Sequence, residues 1–153
     1  MSRRRRKSAG DTLWMYLNRQ FKNLRANGLD VIVHLILGLP GESTEQMVES
    51  IRYLNCQDIQ GVKLQLLHIL KGTELGEQFV LGTEDPFTLD EYADLLCELV
   101  RNLRPEIVIH RLTGDGAKKD LLAPLWSADK KRVLNTIRQR FHEQKVIQGS
   151  AWS

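Results

Sequence analysis

The sequence predicts an α/β fold: three parallel strands alternating with helices, an incomplete (β/α) barrel of the TIM type. Three observations predict it. Short runs rich in valine, isoleucine and leucine recur at 31–37, 62–69 and 107–112, built like the strands of a parallel sheet. The stretches between them carry apolar residues at helical spacing behind capping signals. The whole, 153 residues with 42% hydrophobic and 27% charged, has the size and composition of one globular domain. Right-handed crossovers make the strands parallel and put the helices on the outer face. Three strands are few for a barrel. Two sheet edges and an inner face would stay uncovered, which is a physical reason to expect part of a larger domain.

Residues 1–10 read as a basic flexible tail, 11–147 as the folded body and 148–153 as a frayed end. Five of the 22 basic residues lie in Arg3–Lys7, leaving 17 against 19 acidic ones, so the body is near −2 although the chain is +3. A basic excess confined to a terminus reads as a solvated tail, with phosphate binding as the functional alternative.

Asp11 or Thr12 can cap a first helix, whose stripe is Leu13, Leu17, Phe21 and Leu24, and Asn27-Gly28 supplies a left-handed C-cap. The first strand, about 30–37, is almost unbroken in its apolar character and so is expected to be buried on both faces. It runs into Gly38-Leu39-Pro40-Gly41-Glu42. Ligands in α/β folds sit where such strands end, so this turn is the expected ligand site.

Ser43-x-x-Gln46 is a capping box for a helix with Met47, Val48, Ile51 and Leu54 on its apolar face, ending near Asn55. The second strand, Val62–Ile69, alternates in its first half, which predicts one less covered face there. Leu70–Pro86 is a long connection of the kind that is functional or mobile. Its Lys71-Gly72-Thr73 is a candidate phosphate or carboxylate contact or a solvated loop. Thr88-x-x-Glu91 opens a helix with Leu89, Tyr92, Ala93, Leu96, Leu99, Val100 and Leu103 along one stripe, closed by Pro105. The third strand, Ile107–Leu112, leads to the loop Thr113-Gly114-Asp115-Gly116. Ser127 or Asp129 caps a last helix with Val133, Leu134, Ile137 and Phe141.

No apolar run approaches the roughly 20 residues of a membrane span, and the basic start has no apolar h-region, so it is not a secretory signal. Cys56 and Cys97 form no metal motif and read as free thiols of a cytoplasmic protein. Each strand carries one histidine: His34, His68 and His110. Their different heights along the strands argue against a shared metal and for hydrogen bonding within the core or lumen. His110-Arg111, near a strand's C-terminal end, is the pair placed to reach substrate. Trp126 reads as a packing anchor.

The stretch His34–Glu42 resembles the strand-and-turn motif of radical S-adenosylmethionine (SAM) enzymes, G-x-I-x-G-x-x-E. Ile36 and Gly38 match it, His34 takes the place of its first glycine, and Glu42 falls one residue late, as in the family's G-x-P-G-E variant. Gln65–Leu75, Ile109–Gly116 and Leu122–Ser127 with the helix that follows resemble later segments of the YhcC-like branch. That branch comprises uncharacterised radical SAM proteins related to elongator-type and coproporphyrinogen-dehydrogenase-type enzymes. The resemblance covers about residues 12–145.

The resemblance implies half of a radical SAM barrel. Ile36 and Leu37 would form the adenine side of a SAM site, with Gly38, Gly41 and Glu42 shaping the turn. His68, His110, Arg111 and Asp115 would be the candidates to reach substrate. It implies SAM and a [4Fe–4S] cluster in the complete protein, where the reduced cluster cleaves SAM to a radical that abstracts hydrogen. The cluster takes three cysteines spaced C-x3-C-x2-C, and thiolates hold its irons. Cys56 and Cys97 supply neither the number nor the spacing, and no Gly-Gly-Glu-type strand end is present. The expectation is therefore a C-terminal portion, inactive alone, with no catalytic residue or metal ligand to assign. The substrate stays open, because related branches act on tRNA, porphyrin precursors and other small molecules. Two other readings stand beside this one. One is a cluster-free α/β module that binds a nucleotide or RNA through the turn and the basic tail. The other is self-association through open sheet edges.

Overall fold

The computed structural model describes residues 9–82, 86–114 and 118–152, with side chains described from residue 14 onward except at 118. Arg3–Lys7, Asp115 and Gly116 lie outside the described residues. Helix α1 spans Ala9–Ala26. It starts ahead of the expected cap, so Asp11 and Thr12 fall inside it. Its end is a Schellman motif: Gly28 has φ +73, its N–H meets the Arg25 carbonyl at 2.9 Å, and the Leu29 N–H meets that of Leu24 at 3.1 Å.

Strand β1 is Ile32–Leu37, helix α2 Thr44–Asn55 and strand β2 Gly61–Leu66. Short strand β3 (Ile69–Leu70) and helix α3 (Glu74–Val80) lead to helix α4, Leu89–Asn102. Strand β4 (Val108–Arg111), strand β5 (Leu121–Ala123) and helix α5 (Lys130–Glu143) complete the order. The main sheet runs β1-β2-β4, and both pairings are parallel. Ile32 stands opposite Gly61, His34 opposite Lys63 and Ile36 opposite Gln65. A bulge in the β2–β4 pairing puts Arg111 opposite Lys63.

Helices α2 and α4 start where the sequence places them. Ser43 and Gln46 cap each other across α2, and Thr88 and Glu91 do so across α4. Glu91 is held below the usual carboxylate range by its hydrogen bonds to the Thr88 N–H and hydroxyl. One face of the sheet (Leu37, Val62, Leu64, Leu66) packs on Met47, Ile51, Leu96, Leu99, Val133 and Ile137 as a single core. At the N-terminal ends of the strands, Asn55 donates to the Asn102 carbonyl at 2.7 Å and accepts the Arg104 N–H at 2.9 Å. The Arg104 guanidinium donates to the Asn55, Gln57 and Ile59 carbonyls.

The other face is open, as expected for part of a barrel, so within this chain β1 lacks its second cover. The strand is not buried on both faces: Leu37 is fully buried, but Ile32 and Ile36 remain 40% and 44% exposed, because no described element covers that side. The alternation in β2 has the same cause, with Val62, Leu64 and Leu66 buried and Lys63 and Gln65 only partly so.

Three further expectations change. The second strand ends at Leu66 rather than Ile69, and the chain turns into β3, which pairs antiparallel with β5. The connection after Leu70 is not structureless, for it holds α3. The Thr73 hydroxyl accepts the Gly76 N–H at 3.0 Å and donates to the Leu70 carbonyl at 2.8 Å, so Lys71-Gly72-Thr73 is a helix entry. Residues 148–151 are pinned rather than frayed. Gln148 donates to the Ile107 carbonyl at 2.8 Å, and the N–H groups of Gly149 and Ala151 bond the Val100 and Arg101 carbonyls. Asp129, not Ser127, caps α5 through the Arg132 N–H.

Candidate functional site

The turn after β1 is built from its glycines and its proline. The Glu42 N–H reaches the Leu39 carbonyl at 2.9 Å, and Gly41 has φ +73. Pro40 and Gly41 thus occupy the central positions of a type II turn, where proline pre-sets one dihedral angle and glycine supplies the positive one. The Glu42 carboxylate accepts the Leu39 N–H at 3.2 Å and ties the turn a second time. Gly38 has φ +76, and a Cβ there would lie 2.8 Å from Cε2 of Phe87. Both conformation and space therefore require glycine at 38.

Two grooves flank the turn. One, of about 690 Å³, lies on the helix side between Trp14, Pro40, Glu42, Glu49 and Tyr53. The other, of about 180 Å³, is bounded by Gly38, Glu42, Leu66, Leu67 and Phe87. The second sits over the C-terminal ends of β1 and β2, the position that α/β folds use for ligands. The larger groove is turned toward α1 and α2.

The sequence-predicted residues divide by face. Ile36 presents its side chain to the open face beside Gln65. Leu37, expected to share that wall, turns into the helix-side core, and its carbonyl is taken by the Leu67 N–H at 2.9 Å. Strand alternation forces this, since neighbours in sequence point to opposite faces. His68 lies just past β2 against the loop after β4: a Cβ on Gly114 would fall 2.6 Å from the imidazole Cε1 and 3.4 Å from Gln65 Cγ. His110 and Arg111 end β4, as expected, but β4 pairs only with the first half of β2. A Cβ on Gly61, the first residue of β2, would fall 2.5 Å from its ring. The bulge thus leaves His110 over the lower end of the sheet and Arg111 beside Lys63. The site gathers Ile36, Gly38 and His68 at the upper end and leaves His110 and Arg111 below. Lys63 and Gln65 belong to the same face, and the polar alternation within β2 is the signal that marks them.

The Nε2 atom of His68 is buried and has no hydrogen-bond partner among the described residues, and desolvation holds its pKa below the usual 6.5. The unfolded chain therefore binds the proton more readily. His68 contributes stability above pH 6.5 that is lost as pH falls from there toward its lowered folded value. Urea unfolding at pH values on either side of about 6.5 should show lower stability on the acid side, and His68→Gln should flatten that part of the pH dependence.

The thiols do not fit an iron–sulfur cluster. Cys56 is exposed at the C-cap of α2, and Cys97 is buried within α4, where burial pushes its thiol pKa up. No cluster of three histidine, cysteine or acidic residues able to hold a metal occurs among the described residues. Nor is any described helix long and apolar enough to cross a membrane.

Residues 59–143 match the family model described as the Radical_SAM C-terminal domain. The chain is 36% identical over 126 residues to the uncharacterized protein YtqA of Bacillus subtilis (strain 168), covering 82% of this chain and 39% of that protein. It is 32% identical over 127 residues to protein YhcC of Escherichia coli (strain K12), covering 83% and 41%. The chain thus spans about two-fifths of the length of the curated relatives it matches. A solved structure of archaeal Methanocaldococcus infernus Elp3 with an N-terminal deletion superposes with a TM-score of 0.73 over 95% of this chain and 33% of that one. At 19% identity, what the two share is the fold.

Proposed function

The chain belongs to the Radical_SAM C-terminal domain family, and from that membership we propose that it forms one wall of the SAM site in a radical SAM iron–sulfur enzyme. The observation that carries this reading is the juxtaposition at the end of β1. Exposed Ile36, the left-handed Gly38 and the groove to Leu67 and Phe87 together offer an apolar surface with close backbone access, suited to an adenosyl group. Gly41 and Glu42 hold the turn in shape, and Leu37 supports it from the core. SAM with a reduced [4Fe–4S] cluster supplies hydrogen abstraction from substrate. The residues of this chain bind and orient the partners of that chemistry, with His68, His110 and Arg111 lining the substrate side.

In this reading the cluster-bearing part of the cytoplasmic enzyme covers the open face and continues the sheet from its uncovered edges. Ile32, Ile36 and Val108 are exposed apolar side chains of that face, and fully burying one such side chain contributes about 1.5–3 kcal/mol. The same edges serve the self-association reading for the chain without that part, and a strictly monomeric species by light scattering would count against it. The alternative nucleotide- or RNA-binding role would draw on Arg3–Lys7, outside the described residues. The test is Ile36→Asp in the protein that includes the cluster-bearing part. SAM affinity should fall about tenfold or more, the loss of one buried aliphatic contact, with iron content unchanged. Undiminished affinity would overturn the reading.

A further inference from the structure

We propose that a row of basic side chains across the middle of the open face, His34, Lys63 and Arg111, is the subsite for an oxyanion group of the substrate, a carboxylate or a phosphate. The inference rests on the open face being the lumen of the enzyme and adds the chemical class that the lumen receives. His34 stands opposite Lys63 in the β1–β2 register, and the bulge brings Arg111 opposite Lys63 from the other side. Adjacent strands lie about 4.8 Å apart, so the Lys63 ammonium is flanked on both sides by groups that carry or can take positive charge.

Such a row costs stability, because like charges directly opposite one another in a sheet repel. Nothing described offsets it at Lys63, whose ammonium makes no hydrogen bond or ion pair among the described residues. The three strands contain no acidic residue. Among the described residues, the acids nearest their ends are engaged elsewhere: Asp30 and Asp58 with Arg25, Glu106 with Arg104, and Glu42 with the Leu39 N–H, while Arg111 has a partner of its own. A half-buried lysine with basic neighbours and no counter-ion among the described residues is a poor structural element and a good anion receptor. The row also lies two residues down the strands from Ile36 and Gln65, roughly 7 Å farther from the turn. It is therefore a separate place from the adenosyl wall.

The test uses the chain with neither SAM nor cluster. Inorganic pyrophosphate and citrate are titrated in separate arms, followed by NMR at the Lys63 Cε and His34 imidazole signals. Saturable shifts at both residues with at least one anion are expected, and the stronger arm identifies phosphate or carboxylate as the preferred group. Lys63→Gln should weaken that binding about tenfold or more, the range expected for losing one charge-assisted contact. Lys63→Arg should stay within about threefold of the parent, since it keeps the charge. The amide spectrum of each variant reports whether the fold is intact. Equal binding by Lys63→Gln, shifts confined to another surface, or no shift with either anion would overturn the proposal. Displacement of the anion by S-adenosylhomocysteine would also overturn it, by placing the row inside the SAM site. Failure of SAM binding at the turn would leave these anion results untouched, so the two readings fail separately.

Discussion

Replacing Gly38 by valine is expected to lower the unfolding free energy by about 3–5 kcal/mol. Roughly 1–2 kcal/mol comes from forcing a side chain into a left-handed backbone, and the rest from overpacking. Gly38 has φ +76, and a Cβ would meet the Phe87 ring at 2.8 and 3.0 Å and Leu66 at 3.5 Å. The γ-methyls of valine would press further into the same ring. Urea unfolding measures the sum, and a pair of milder variants separates its parts. Gly38→Ala combined with Phe87→Leu should recover the steric share but not the conformational one. In the protein with its cluster-bearing part, Gly38→Val should impair SAM binding while the cluster still assembles. Unchanged SAM affinity would make the turn purely structural.

Tyr92→Ala is expected to cost about 3–5 kcal/mol, the range for removing a fully buried aromatic side chain. Tyr92 is 1% exposed. Its ring lies 5.7 Å from that of Trp126, and its hydroxyl donates to the Leu112 carbonyl at 3.0 Å. Burial raises its pKa well above the usual tyrosine value, so the phenol stays a donor. Trp126 in turn donates to the Phe87 carbonyl at 2.9 Å. A line of contacts therefore joins the end of β4, through Tyr92 and Trp126, to the residue that packs over Gly38. Tyr92→Phe removes only the hydroxyl and should cost about 1 kcal/mol. Faster hydrogen exchange in Thr113–Gly114 should accompany it, because Leu112 loses its anchor. A cost for Tyr92→Ala under about 1 kcal/mol would mean that the core re-forms around the vacancy.

Much of the fold was legible because its signals are local. Ser43 with Gln46, Thr88 with Glu91, and Asn27-Gly28 each specify a helix end through bonds spanning only a few residues. The turn at Gly38–Glu42 was legible for the same reason. Helix α3 and strands β3 and β5 were missed because seven-, two- and three-residue elements are too short to show a period. Thr73, read as part of a loop, was the one available sign of a cap. The apolar run of β1 reports that the strand is meant to be covered on both faces and cannot report by what, so its open face shows only in the structure. The resemblance puts Leu37 beside Ile36 on one wall, whereas strand alternation sends the two side chains to opposite faces. His110 and Arg111 do end β4, but the bulge that sets Arg111 opposite Lys63 is a property of pairing, which one strand's sequence does not contain. The anchoring of 148–151 likewise depends on carbonyls of Val100, Arg101 and Ile107, all more than forty positions away in sequence.

An adenosyl wall at the end of β1 is open to a simple measurement: titrating the chain with S-adenosylhomocysteine while following backbone amide shifts. The largest saturable shifts should fall at Ile36, Gly38, Leu39, Gly41 and Leu67, around the groove that Phe87 closes, and Gly38→Ala should weaken them. Shifts that map instead to the helix-side groove of Trp14, Glu49 and Tyr53, or no saturable shift at Ile36–Glu42, would contradict it.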